Sequence, residues 1–145
     1  MISQLNPAAR LGCHPFHITV IGGLHSHAAA DIENALDAIA STVHPFILDT
    51  PILAPNCNSL QFHNVPDHKA AVDAGSRFVN GNRYGDPRPI HITLGRIDGE
   101  VSTSLRDAMM HSIRDLPPLQ IIGVEFEDDN GHRTTPLMTK PLSAL

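Results

Sequence analysis

Two stretches decide how this chain folds: residues 16–23, FHITVIGG, and residues 89–96, PIHITLGR. Each sets a histidine and a threonine two residues apart among β-branched and aliphatic neighbours, the composition of a strand. The histidines, His17 and His91, stand 74 positions apart. Side chains alternate along a strand, so His17 and Thr19 share one face while Ile18 and Val20 take the other, and His91 and Thr93 oppose Ile92 and Leu94. Each stretch therefore presents a polar pair backed by an apolar pair.

Working outward, the order of elements repeats. After the first stretch, SHAAADIENALDAIAST places Ile32, Ala35, Leu36 and Ile39 at helical spacing, which predicts a helix over about 27–42. HPFILDTPIL and NSLQFH read as extended segments separated by an APNCN loop. PDHKAAVDAGSRFVN reads as a further helix, with Pro66 suited to its first turn, and GNRYGDPRP reads as loop. After the second stretch, STSLRDAMMHSIRDL predicts a helix with Leu105, Met109 and Ile113 on one side. PLQIIGVEFE and HRTTPLMT then read as strands joined by a DDNG turn. Adding 74 carries His17 to His91, Thr19 to Thr93, Leu36 to Met110, Ile39 to Ile113 and Ile47 to Ile121. Two such copies are too few for a solenoid, which needs at least about three repeats for a continuous core. The expectation is one α+β domain over residues 1–145, bilobal and pseudo-twofold, with repeats near 16–63 and 90–139. Antiparallel sheets would line a central cleft with helices outside, and both polar pairs would face that cleft.

Composition bounds the partners. The chain has 145 residues, 41% of them hydrophobic and 17% charged, and a net charge of -5 that disfavours coating long duplex nucleic acid. No long apolar run predicts a membrane span, and the first residues, MISQLNPAARLGCHP, lack a secretory apolar core, which points to a cytoplasmic protein. Lys69, Arg77, Arg83, Arg88 and Arg96 cluster between positions 67 and 96 against Asp67, Asp73 and Asp86, a local excess suited to a small anionic ligand. Cys13 and Cys57 read as reduced thiols. HPFH, HSH, Cys13, His63 and His68 offer donors for zinc, but no familiar ligand spacing is present.

Two imidazoles in one cleft divide proton transfer between them, since an unperturbed pKa near ~6.5 makes both protonation states accessible. Threonine hydroxyls donate to non-bridging phosphate oxygens, and neither cofactor nor metal is required. FHITVIGG and PIHITLGR resemble the paired H-x-T motifs of the two-histidine phosphoesterase superfamily, the LigT-like and cyclic phosphodiesterase group. The second is the nearer match; the first continues VIGGL where relatives often carry an aromatic residue.

The resemblance implies a bilobal α+β fold and metal-independent hydrolysis of 2',3'-cyclic phosphates, 2'-5' linkages or related nucleotide phosphodiesters. It makes His17 and His91 the acid–base pair, His17 protonating the leaving oxygen and His91 activating water, with Thr19 and Thr93 as phosphate donors. Tyr84 is placed to stack on a base, and Arg83 and Arg88 to reach a phosphate from the same loop. Strict alternation puts Arg96 opposite His91 and Thr93, so its contact with phosphate requires a bulge at Gly95. The expected function is an RNA 2',3'-cyclic phosphodiesterase-like hydrolase acting on a small nucleotide or RNA-end substrate. The alternatives are a non-catalytic nucleotide-binding module of the same fold and a histidine-rich metal-binding protein.

Overall fold

The computed structural model describes residues 9–10, 17–24, 26–85, 89–94, 96–97, 99–115, 117–130 and 133–143. Helix α1 spans Ala29–Thr42, and its buried residues are Ile32, Ala35, Leu36 and Ile39, the stripe expected from their spacing. Helix α2 spans Pro66–Gly75 with Pro66 in the first turn, where its missing N–H costs nothing. It stops five residues short of the end of the PDHKAAVDAGSRFVN stretch. Helix α3 spans Thr103–Arg114, starts at Ser102, whose hydroxyl accepts from the Leu105 N–H, and buries Met109 and Ile113. Among the described residues no helix is long and apolar enough to cross a membrane.

The strands form several small antiparallel sheets. In chain order they are β1 (Ala9–Arg10), β2 (Ile21–Gly22), β3 (Phe46–Leu48), β4 (Ile52–Leu53), β5 (Ser59–Phe62), β6 (Asn82–Arg83), β7 (Ile90–Thr93), β8 (Arg96–Ile97), β9 (Leu119–Ile121), β10 (Gly123–Asn130) and β11 (Arg133–Pro141). The pairings are β1–β8, β2–β6, β3–β9, β10–β11 and the three-stranded β4–β5–β7. The fold is thus mixed α+β.

Several local expectations change. The first stretch is not a strand throughout: residues 17–19 pair with no other strand and the ladder starts at Ile21. The Thr19 carbonyl is taken instead by the His68 side chain, whereas the Val20 carbonyl accepts from the Tyr84 N–H in register with the β2–β6 pairing. GNRYGDPRP contains β6 rather than being loop alone. A Cβ on Gly81 would run into the Gly22 carbonyl oxygen, so glycine there lets the two segments approach. PLQIIGVEFE is two strands, not one; the break falls at Ile122, whose carbonyl accepts from the Leu142 N–H. Strand β10 runs on through Asn130, into the stretch expected as the DDNG turn.

The core mixes the two halves of the chain. Leu48, Leu53, Leu60 and Phe62 from the first half pack with Ile90, Ile92, Leu94, Met109 and Ile113 from the second. Conversely α1 lies against the β10–β11 hairpin, with Ile32, Ala35 and Leu36 packed among Val124, Phe126 and Met138. Each half of the chain therefore packs against elements of the other. The anticipated equivalence of Leu36 and Met110 does not hold, since Leu36 is buried while Met110 is 38% exposed and Met109 takes the core position.

Arg106, half-buried on α3, ties the turn after β4. Its guanidinium donates from Nη1 to the Ala54 and Pro55 carbonyls at 3.0 and 3.2 Å and from Nη2 to the Leu53 carbonyl at 3.5 Å. The turn holds buried Cys57 at φ 59°, a conformation uncommon for a side chain bearing Cβ, and its sulfur, in no disulfide, accepts from Arg106 Nη1 at 3.7 Å. Cys13 lies outside the described residues. Replacing Arg106 by Met preserves its stem and removes its charged donors from these carbonyls; it is expected to cost about 1–3 kcal/mol, read as a lowered urea midpoint with unchanged m-value.

Candidate functional site

The second motif follows its expected alternation. In β7, Ile90 and Ile92 are buried, His91 is half-buried and Thr93 is exposed. Antiparallel pairing with β5 sets His91 opposite Gln61 and Thr93 opposite Ser59. The polar pair is thus carried on a strand whose other face is anchored in the core.

The first motif reaches a related arrangement by different means. Ile18 packs against the Phe62–Met109 cluster and Val20 against the cluster of Ile39, Val43, Ala71 and Ala74. His17 and Thr19 line a cavity of about 680 Å³, shared with His68, Tyr84, Glu125 and Glu127. His91 and Thr93 are not among its lining residues. Tyr84 is common to both motifs: its N–H bonds the Val20 carbonyl at 3.1 Å, and its ring lies 6.3 Å, centroid to centroid, from that of His91 at a 49° tilt. Gly22 gives that ring its space, because a Cβ there would stand 3.3 Å from Tyr84 Cε2.

Of the other expected substrate contacts, Arg83 is exposed in β6 beside Tyr84, paired through its backbone with Ile21. Arg96 begins β8, where its backbone pairs with Arg10; its side chain lies outside the described residues. Arg88 also lies outside them. No group of three or more His, Cys, Asp or Glu suited to a metal ion occurs among the described residues.

Three side chains at the site were not among the residues expected there. Glu127 Oε2 lies 4.0 Å from His17 Nε2, an ion pair whenever that ring carries a proton. Glu125, two residues earlier in β10, shares a hydrogen bond with Glu127, which requires a proton on one of the two carboxyls. That bond first, then burial and the Glu127 charge, pushes Glu125 above the ordinary carboxylate range, with His17 opposing. His68, only 2% exposed, places Nε2 2.8 Å from the Thr19 carbonyl oxygen. The available signals were an EFE alternation in a strand and a histidine at i with Ala71, Val72 and Gly75 on one helical face.

Burial lowers the His68 pKa from its ordinary 6.5, and the Thr19 hydrogen bond only partly offsets this. The unfolded chain therefore binds the proton more readily. The associated stability is present above pH 6.5 and is lost as pH falls toward the folded-state value. A urea midpoint that drops between pH 7 and pH 5 in the native chain, with a smaller drop in His68→Gln, is the expected result. Comparison with known family models, curated proteins and solved structures gives no match.

Proposed function

We propose that this chain is a metal-independent phosphodiesterase that opens ribose 2',3'-cyclic phosphates or cuts 2'-5'-linked nucleotides, with His17 and His91 as its acid–base pair. The observation that carries the reading is Tyr84, which is bonded to the backbone beside the first motif and set against the imidazole of the second. Two H-x-T motifs far apart in sequence thereby share one neighbour.

The register of β3 on β9 supports the duplicated, pseudo-twofold form of the fold. Phe46 pairs with Ile121 and Ile47 with Gln120. The 74-residue offset converts the first pair into the second, as a twofold axis between the strands requires. The cross-packed core is reciprocal in the same sense.

In the reaction, His91 as a neutral ring takes a proton from water, and the oxygen so activated attacks phosphorus in line with the departing ribose oxygen. His17, as imidazolium, donates its proton to that oxygen, leaving a phosphomonoester and a free hydroxyl. Glu127 is an ion-pair partner for the charged form that His17 needs in this role. Thr19 and Thr93 donate to the non-bridging oxygens while charge builds on them. Tyr84 offers a face for a base and exposed Arg83 beside it supplies positive charge, with Arg88 and Arg96 as further candidates from the sequence.

Hydrolysis of 2',3'-cyclic AMP should persist in EDTA and show a bell-shaped dependence of kcat/KM on pH, because one ring acts neutral and the other charged. His17→Ala and His91→Ala should each lower turnover roughly 10² to 10⁴-fold, and Thr19→Val and Thr93→Val somewhat less. Near-native rates in both histidine variants, or activity abolished by EDTA and restored by zinc, would remove this mechanism. Retained nucleotide binding without turnover in the native chain would instead identify a binding module.

A further inference from the structure

Helix α2 turns His68, Ala71, Val72 and Gly75 inward, and all four are buried. Three of these are what a helix face packed on a core needs; the fourth is an imidazole. A buried polar ring without partners costs free energy comparable to a lost hydrogen bond or more, so its contacts define its purpose.

Those contacts reach the first motif and the segment at Tyr84–Gly85. A carbonyl oxygen only accepts, so the 2.8 Å approach of His68 Nε2 to Thr19 requires the hydrogen on Nε2. In the neutral ring Nδ1 then carries the lone pair, and that edge faces Gly85. A Cβ at Gly85 would stand 2.9 Å from Nδ1 and 3.0 Å from Cε1, and the residue has φ +101°, so both space and backbone select glycine. Gly85 follows Tyr84, whose own N–H holds the neighbouring Val20 carbonyl. The imidazole thus lies between the first motif and the segment leading into the second.

We infer that His68 is a positioning residue that sets the two H-x-T motifs relative to one another, through the Thr19 carbonyl on one side and Gly85 on the other. It takes the place of the missing ladder bond at Thr19, fixing the backbone from which His17 and Thr19 project. Its consequence for turnover rests on the phosphodiesterase reading; its mechanical role does not. Burial keeps the ring neutral, the form that leaves Nδ1 without a hydrogen toward Gly85.

The experiment combines ring and amide NMR with turnover of 2',3'-cyclic AMP in the full chain. At pH 7 the native His68 ring is expected as the neutral Nε2–H tautomer. His68→Leu, which fills similar space without a donor, should shift the Thr19, Val20 and Tyr84 amides. It should also lower kcat about 10 to 100-fold, the scale of a small misplacement of reacting groups, with KM changed less. His68→Gln, whose amide N–H reaches the same carbonyl, should restore most of both. A charged ring or the Nδ1–H tautomer at pH 7, or unmoved Thr19, Val20 and Tyr84 amides in His68→Leu, overturns the inference. If His68→Leu does not fold, the native tautomer and the His68→Gln amides decide. A native chain without turnover sinks the phosphodiesterase reading while the NMR arms still judge His68. An active native chain whose kcat is unmoved in a folded His68→Leu sinks the positioning role alone.

Discussion

Phe46, Ile47 and Leu48 run antiparallel to Ile121, Gln120 and Leu119, and this short ladder joins the two halves of the chain edge to edge. Everything else about the arrangement follows from where it puts their helices. With β3 bound to β9, α1 meets the β10–β11 hairpin of the second half, while α3 meets β4 and β5 of the first. Neither half then keeps a core to itself. Lys140 on β11 reinforces the exchange from outside, its ammonium 3.2 Å from Asp37 and 3.7 Å from Glu33 on α1. Those exposed pairs are worth little individually beside the buried aliphatic contacts beneath them.

The exchange also determines how the two H-x-T motifs are held. A motif closed within its own repeat would drift relative to its counterpart by whatever play existed between two lobes. Here the apolar backing of His17 and Thr19 is Ile18 against the Phe62–Met109 cluster and Val20 against the α1–α2 cluster, so the motif is wedged between the two bodies of the core. His91 and Thr93 are held on a strand inside one of them. Tyr84 and His68 each hold the backbone of the first motif, with one backbone bond and one side-chain bond, and the Tyr84 ring lies near that of His91. Two motifs with the same three letters are held by unlike devices.

The site's charge is equally asymmetric. Glu125 and Glu127 stand beside His17, whereas the described neighbours of His91 include the Tyr84 ring and Gln61. The two H-x-T motifs thus occupy different electrostatic surroundings, the kind of asymmetry on which the proposed division into acid and base would rest. The cationic cluster is scattered, with Lys69 on α2, Arg77 just after it and Arg83 in exposed β6, while Arg88 and the Arg96 side chain lie outside the described residues.

Local pattern in the sequence determined which face of each element would be buried. Ile32, Ala35, Leu36 and Ile39, Met109 with Ile113, and the alternation through Ile90–Thr93 were all legible, because apolar periodicity and backbone geometry are properties of a few adjacent residues. It also marked His17, Thr19, His91 and Thr93 as chemically unusual. Tertiary structure alone decided what each buried face packs against, why residues 17–19 forgo a ladder, why the strand breaks at Ile122, and which carboxylates stand beside His17. Each of those outcomes depends on a partner far away in the chain: His68 for Thr19, Leu142 for Ile122, Glu127 for His17. A backbone acceptor is satisfied by whichever donor the completed fold delivers to it, and no window of neighbouring residues contains that information.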